Sequence, residues 1–282
     1  MGLDYLGPVF DGDIKGSDIV LMVLLDGAQL YEHKDLDCWM YVWIIVNLAP
    51  NKRYQKIYVR PGGFIPGPNK PKNLDSFQCV GMHHISTLQK EGLNIWDANR
   101  NIVFCLDIYL LFPTADGLGL VYWDGMVGHS GKNGCRIYCG ILGQHKNHGQ
   151  HYYPILIMPH DKYPPDGSRH PDIVVFDLPS SGSDTYADHL KRLISSPNQT
   201  QYDNCKTETG IAKAPLILGL SPSQSLGVPY CMTTDIMHFA GNLSDFLISL
   251  WHGIIDCDGT DDSEQWEWAV FVDNEAWERT SV

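Results

Sequence analysis

The feature that most constrains the fold is an unbroken run of seven apolar residues, Ile19–Leu25, which ends at Asp26-Gly27. A run of this length without polar alternation is typical of a central β-strand that is covered on both faces. The sequence therefore predicts a sheet with other parts of the chain packed on each side of it.

Further strands follow at short intervals. Residues 38–46 are rich in aromatic and β-branched side chains and predict a second strand. Residues 54–60 alternate between apolar and polar side chains and predict a third strand, after a turn at 49–53. Such short connections favour an antiparallel meander. The Gly- and Pro-rich segment 61–71 is predicted to be a loop.

A helix and a fourth strand complete this predicted core. Residues 73–91 predict a helix that stops at Gly92, and 103–112 predict the fourth strand. The resulting order is β-β-β-α-β. Two amphipathic patterns farther along the chain predict helices at 183–194 and 235–250.

Composition limits the class of function. The 282 residues are 44% hydrophobic, and 20 basic against 33 acidic side chains give a net charge of −13. This composition is typical of a folded globular chain and excludes a general basic coat for binding nucleic acid. No apolar run approaches the ~20 residues that span a bilayer, and no signal peptide is evident, so we expect an intracellular protein without membrane partners. The eight cysteines are too few for a disulfide scaffold.

Two acids share one sequence context. Asp26 and Asp116 each follow an apolar strand and precede a glycine. If the two strands are neighbours about 4.8 Å apart, both carboxylates can bind shared Mg²⁺ ions of the kind that assist phosphoryl transfer. The alternative is that Asp-Gly after a strand is only turn chemistry.

A second candidate site combines cysteines and histidines. Cys135 and Cys139 precede a group of four histidines, and thiolate and imidazole are the ligands that zinc prefers. The alternative is a His-rich surface loop beside two buried thiols. The histidines are His145, His148, His151 and His160.

Asp235 and His238 form a third candidate pair. On a helix, residues three positions apart lie on one face. His238 would then complete a zinc site, with Asp235 as a further ligand or as a hydrogen-bond partner of a ligand. The alternative is a helix-capping Asp and a partly buried His.

Taken together, these motifs resemble the catalytic domain of Plavaka-type fungal transposases, which are relatives of the CACTA cut-and-paste DNA transposons. The resemblance runs in order through nearly the whole chain. The matching segments include LLDGAQLYEHKDLDCWMYVW (24–43), GGFIPGPNKPKNLDSF (62–77), TADGLG (114–119), GHSGKNGCRIYC (128–139), HYYP (151–154), TGIAKAP (209–215) and DIMH (235–238).

The resemblance implies a ribonuclease H-like α/β fold, a mixed sheet with flanking helices and a Cys/His-rich insert. It implies that Asp26 and Asp116 belong to a DDE-type triad that uses two Mg²⁺ or Mn²⁺ ions on DNA, in the nucleus. It also implies a structural zinc ion. The implied zinc ligands are Cys135, Cys139, His148 or His151, and His238, and the implied DNA contacts are Lys70, Lys72, Lys132 and Arg136.

The third acid of such a triad, a Glu expected on a late helix, is missing from its family setting before Val282. We therefore expect a C-terminally truncated catalytic domain that self-associates and is inactive. Its expected parts are a core (1–122), an irregular Cys/His-rich insert (123–234), and a helix with an acidic tail (235–282). The alternative is a non-catalytic, domesticated remnant that binds nucleic acid or protein. An unrelated metallohydrolase would not explain the IPGPNKP and DIMH segments.

Overall fold

A computed structural model of the chain describes residues 10, 14–28, 38–67, 71, 73–145, 150–152, 173–174, 176, 183–232 and 236–251. The chain divides into a compact unit of residues 1–233 and a second unit of residues 234–282. Within the described residues, the first unit contains both sheets and five α-helices, whereas the second unit contains one α-helix.

The fold is mixed α/β. Its strands are β1 (Ile19–Ala28), β2 (Cys38–Ile45), β3 (Arg60–Pro66), β4 (Leu93–Asp97), β5 (Ile102–Leu106) and β6 (Ile108–Thr114). Its helices are α1 (Pro50–Arg53), α2 (Asp75–Glu91), α3 (Leu120–Asp124), α4 (Ser183–Ile194), α5 (Gln199–Thr209) and α6 (Ile236–Trp251). A short 3-10 turn, Leu216–Gly219, follows α5.

The main sheet has four strands in the order β3-β2-β1-β6. β1 pairs with β2, and β2 with β3, in antiparallel fashion, whereas β1 and β6 are parallel. The predicted antiparallel order of the first three strands is therefore confirmed, but the third strand lies later in the sequence than predicted. β4 and β5 form a separate antiparallel hairpin.

β1 is covered on both faces, as its unbroken apolar run predicts. Because side chains alternate along a strand, Leu21, Val23 and Leu25 enter one apolar cluster while Val20 and Met22 enter another on the opposite face. None of these five side chains is more than 8% exposed, so burial on both faces is nearly complete.

The two faces of the sheet are covered unequally. The larger cluster includes side chains from α2, α3, α4 and α5, among them Met82, Trp123, Tyr186 and Cys205. The smaller cluster receives Phe10, and in the part of the chain that the structure describes, no helix from α1 to α6 contributes to it.

The predicted strand at 54–60 is wrong. Residues 54–58 form turns after α1, and the third strand lies at Arg60–Pro66, inside the segment predicted to be a loop. β3 pairs only with β2, and prolines are tolerated on such an edge strand because the outer side makes no ladder bonds. Gly62 is needed there because a β-carbon would collide with the ring of Tyr41.

The three predicted helices are confirmed, and the predicted fourth strand is confirmed in part. The predicted helices correspond to α2, α4 and α6, and Gly92 ends α2 with a left-handed φ of 74°. The predicted fourth strand at 103–112 is instead divided at Asp107 into β5 and β6, because β5 folds back on β4. The sequence patterns did not predict β4, α3 or α5. Within 123–234, α4 and α5 are regular helices, whereas residues 127–143 are irregular.

Candidate functional site

Asp26 is near the C-terminal end of β1, and Asp116 follows the C-terminal end of β6, at the same end of the main sheet. β1 and β6 are parallel neighbours, and Leu24 lies opposite Thr114. Continuing this register by two residues brings Asp26 beside Asp116. Side-chain alternation along β1 puts Asp26 on the face of the smaller apolar cluster, and Asp116 lies in the turn two residues after the end of β6.

The two carboxylates differ in their hydrogen bonds. Asp26 is exposed and has no hydrogen bond or ion pair within the described residues. Asp116 is half-buried, and its Oδ1 accepts a hydrogen bond from the amide of Gly119, in the turn that leads into α3. Asp116 therefore stabilises this turn, as the alternative interpretation predicts. The hydrogen bond uses one carboxylate oxygen, and the other oxygen has no described partner.

Asp124, at the end of α3, is a third acid, eight residues after Asp116. Its side chain is 2% exposed, and its Oδ1 accepts a hydrogen bond of 2.7 Å from the amide of Met126. Burial raises its pKa to about 6, although the Met126 amide, Arg136 and Lys213 act in the opposite direction. Burial raises the pKa of Cys231 to about 12, and the negative charge of Asp124 contributes to this increase. Cys231 belongs to the larger cluster, so Asp124 lies on the other side of the sheet from Asp26.

Arg136 lies beside the turn that follows Asp116. A β-carbon on Gly117 would be only 3.2 Å from a guanidinium nitrogen of Arg136. Arg136 is half-buried, and the described residues give it no hydrogen bond or ion pair. Lys132 is exposed in the loop before it. Lys70 and Lys72, also predicted as DNA contacts, lie outside the described residues.

Cys135 and Cys139 lie at the two ends of one tight turn. The Tyr138 amide donates a 3.0 Å hydrogen bond to the Cys135 carbonyl, and Tyr138 has a left-handed φ of 55°. The turn brings the two thiols together: burial and the hydrogen-bonded thiol of Cys135 raise the pKa of Cys139. Two of the predicted zinc ligands are therefore adjacent.

Tyr138 fixes this turn to two helices. Its hydroxyl donates to the Thr209 carbonyl at 2.9 Å and lies 2.6 Å from Nδ1 of His189. A hydroxyl has one proton, so Nδ1 of His189 must be the donor in the second bond, and Nε2 is left as the acceptor nitrogen of the neutral imidazole. His189 is on α4 and Thr209 ends α5.

Two cavities flank the thiol pair. One, of about 340 Å³, is lined by Cys135, Cys139, His189 and Glu208 among others. The second, of about 500 Å³, is lined by both cysteines together with His129 and His151. Of the predicted zinc-binding histidines, His151 is thus beside the thiols. His148, Asp235 and the side chain of His238 lie outside the described residues.

Within the described residues, no three His, Cys, Asp or Glu side chains are gathered closely enough to hold a metal ion. The thiol pair fits half of a tetrahedral zinc site, because zinc binds thiolates in pairs such as this. Similarly, Asp26 and Asp116 provide the oxygen ligands that Mg²⁺ prefers, at the same end of two adjacent strands.

Sequence reasoning missed the role of Tyr138, His189 and Asp124. Tyr138 is next to the predicted ligand Cys139 and Asp124 is eight residues after Asp116, but only the tertiary contacts reveal their function. His189 had no signal, because it is separated from Cys139 by 50 positions and its partners come from α5 and the thiol turn.

Comparison with protein-family models gives no match to this chain, and comparison with curated proteins gives none either. Among the described residues, no helix has the length and apolar character needed to cross a membrane.

Proposed function

We propose that this chain is part of the catalytic domain of a DDE-type cut-and-paste DNA transposase with a ribonuclease H-like fold, acting in the nucleus. The single observation that carries the proposal is the position of Asp26 and Asp116 at the adjacent ends of two parallel strands. Phosphodiester cleavage by two metal ions requires carboxylates that converge on a site open to a long polyanion.

The arrangement of the main sheet supports the proposed fold. Three antiparallel strands lead into a helix, and a later strand returns to lie parallel beside the first. An antiparallel hairpin, β4 and β5, is added between α2 and β6. The smaller cluster has no described helical cover, which fits a face on which a further helix of the domain would pack.

In the proposed site, Asp26 and Asp116 would hold Mg²⁺ or Mn²⁺. Such ions lower the pKa of bound water and stabilise charge on a phosphodiester. The protein's own contribution is geometric. β1 and β6 fix the two backbones, the Gly119 amide restrains the Asp116 carboxylate, and Arg136 is a cation for phosphate beside the same turn.

The thiol pair supports a structural zinc ion as the second part of the proposal. Cys135 and Cys139 would supply two ligands, His151 lines a cavity with them, and His148 and His238 are the other proposed ligands. His129, in the same cavity, is an additional candidate from the structure.

A second candidate function is a non-catalytic module that binds DNA or protein. It is favoured by one observation: within the described residues, no third acid joins Asp26 and Asp116 in a metal-binding group. For that reason we expect this chain to bind Mn²⁺ and DNA without cutting the strands.

The proposal is tested by Mn²⁺ binding, followed by electron paramagnetic resonance, in the wild type and in the variants Asp26→Asn and Asp116→Asn. Asp188→Asn, an exposed acid on α4, is the matched control. We expect each site variant to lose the bound Mn²⁺ and the control to keep it. Equal Mn²⁺ binding by all four proteins would exclude a shared metal at Asp26 and Asp116.

Relaxation of a supercoiled plasmid separates the two candidate functions. Nicking that depends on Mn²⁺ and disappears in Asp116→Asn would show that the chain is an active nuclease. DNA binding with neither nicking nor Mn²⁺ bound through Asp26 and Asp116 favours the module. Absence of both DNA binding and Mn²⁺ binding would reject the transposase proposal.

A further inference from the structure

In one segment of this acidic protein, all the charged side chains are basic. Residues 38–74 contain six basic side chains and no acidic one, whereas the rest of the chain has 14 basic and 33 acidic. Four of the six lie within nine positions, on α1, the turn after it and the first residue of β3. We call these the basic strip: Lys52, Arg53, Lys56 and Arg60.

The basic strip is available to a partner. Lys52, Lys56 and Arg60 are exposed and Arg53 is half-buried. No member forms an ion pair within the described residues. Arg53 donates a 2.9 Å hydrogen bond from Nε to the Leu48 carbonyl, and Arg60 donates one of 3.0 Å from Nη1 to the Ile57 carbonyl. These bonds hold the arginines in place and leave other guanidinium donors for a ligand.

Exposed aromatic rings accompany the cations. Tyr54, within the strip, is 60% exposed, and Phe64 on β3 is 66% exposed. Large apolar rings beside unpaired cations suit a nucleic acid, because they pack against sugars or unstacked bases while the cations contact phosphate.

The edge strand β3 leads from the strip toward the acidic pair. Phe64 lies four residues beyond Arg60, about 13 Å along the strand. Phe64 is paired with Met40, and Met40 with Asp26, so Phe64 and Asp26 share a face of the sheet two strand spacings, about 10 Å, apart. A polyanion lying along β3 would therefore reach the end of the sheet where Asp26 lies.

We propose that the basic strip is a docking surface for the phosphate backbone of DNA, with β3 guiding the duplex toward Asp26 and Asp116. The choice of DNA rests on the proposed function, but the surface itself rests on charge complementarity. It concentrates cations on a protein that otherwise repels polyanions.

The test measures binding of the full chain to a fluorescein-labelled DNA duplex of mixed sequence, by anisotropy in buffer without added Mg²⁺ or Mn²⁺, between about 50 and 200 mM salt. The variant Lys52→Gln/Lys56→Gln removes two exposed charges of the strip without touching the arginine hydrogen bonds. Lys191→Gln/Lys206→Gln removes two exposed charges from α4 and α5 and is the matched control.

We expect the strip variant to bind more weakly, with the slope of log K against log salt reduced by about 2, because each lost phosphate contact lowers it by about 1. The control should bind as the wild type does. Equal weakening in both variants would show a bulk charge effect and overturn the proposal. No wild-type binding would overturn it too.

Vesicles of phosphatidylserine test the other polyanionic partner. Strip-dependent binding to vesicles, without strip-dependent binding to the duplex, would contradict DNA docking. The assay contains no added Mg²⁺ or Mn²⁺, so its outcome is independent of the Mn²⁺ experiment. Loss of Mn²⁺ binding would reject the catalytic proposal alone, and loss of DNA binding would reject the docking surface alone.

Discussion

The Tyr138 hydroxyl lies 2.6 Å from Nδ1 of His189 on α4. The same hydroxyl donates its proton to the Thr209 carbonyl at the end of α5. The ring of Tyr138 also packs edge-to-face on His189 and on Tyr186. The thiol turn is thus joined, at one buried residue, to two consecutive helices that lie far from it in sequence. The geometry of Cys135 and Cys139 depends on this junction, because Tyr138 is part of their turn.

Removing the Tyr138 hydroxyl should weaken the fold. In Tyr138→Phe, the buried Thr209 carbonyl and Nδ1 of His189 both lose a hydrogen-bond partner. Leaving buried polar groups unpaired costs about 1–3 kcal/mol, so we expect the free energy of unfolding to fall by about 2 kcal/mol. Urea denaturation followed by circular dichroism measures it.

Tyr230→Phe is the matched control, because Tyr230 is 64% exposed. It should change the free energy of unfolding by less than about 0.5 kcal/mol, as surface substitutions usually do. An equal, small effect of both variants would mean that the Tyr138 hydroxyl adds nothing to stability.

Asp124 should make stability depend on pH. Its folded pKa of about 6 lies above its ordinary value of 3.8, so the folded protein binds the proton more tightly than the unfolded chain. The stabilisation from tighter proton binding by folded Asp124 is complete below about pH 4 and is lost as the pH rises through about 6. The difference between the folded and unfolded pKa values corresponds to about 3 kcal/mol of unfolding free energy.

The comparison is between the wild type and Asp124→Asn, whose amide oxygen can still accept the Met126 hydrogen bond. From pH 4 to pH 7, the wild type should lose up to about 3 kcal/mol of unfolding free energy relative to the variant. Parallel curves of stability against pH would show that Asp124 titrates normally.

The strands that the sequence predicted well are those whose environment is uniform along their length. β1 is apolar throughout because both its faces are buried, and a continuous apolar run is a local signal of that burial. β3 was misplaced for the opposite reason. Its Gly and Pro residues favour a loop, and its strand conformation depends on Tyr41 of β2, which packs against Gly62 and Gly63.

The thiol pair should bind zinc. We expect stoichiometric zinc in purified wild-type protein, and loss of it in Cys135→Ser/Cys139→Ser, because thiolates are the preferred ligands. Removing the metal with a chelator should lower the melting temperature of the wild type, since binding free energy adds to folding free energy. Inductively coupled plasma mass spectrometry and thermal unfolding measure these two effects.

Cys79→Ser/Cys105→Ser is the control for zinc, because both of these cysteines are exposed and free. It should retain the metal. Zinc-free wild-type protein, with a melting temperature insensitive to chelator, would leave Cys135 and Cys139 as structural thiols in a turn.

The candidate site was predictable from sequence only where its chemistry is local. Asp26 and Asp116 stand out because each follows a strand, and the C-x3-C spacing identifies the thiol turn. The partnership of Tyr138 with His189 joins positions 51 residues apart, and no spacing rule relates them. The burial of Asp124 likewise depends on which face of the sheet α3 covers.

Gly119 should be required for the position of the Asp116 carboxylate. Its φ of −70° suits any residue, so backbone strain is not the reason. A β-carbon on Gly119 would instead lie 2.7 Å from Cβ of Ala115 and 2.8 Å from Oδ1 of Asp116, closer than real contacts allow. Gly119→Ala should therefore displace this carboxylate and lower the free energy of unfolding by about 1–3 kcal/mol, the usual cost of overpacking.

The displaced carboxylate should also bind Mn²⁺ more weakly, in the direction of Asp116→Asn. Gly219→Ala is the matched control, because a β-carbon there meets nothing within 4 Å. It should leave both Mn²⁺ binding and stability within error of the wild type. If Gly119→Ala destabilises the protein but keeps full Mn²⁺ affinity, the Asp116 carboxylate is not a metal ligand, and its hydrogen bond to the Gly119 amide serves only the turn that begins α3.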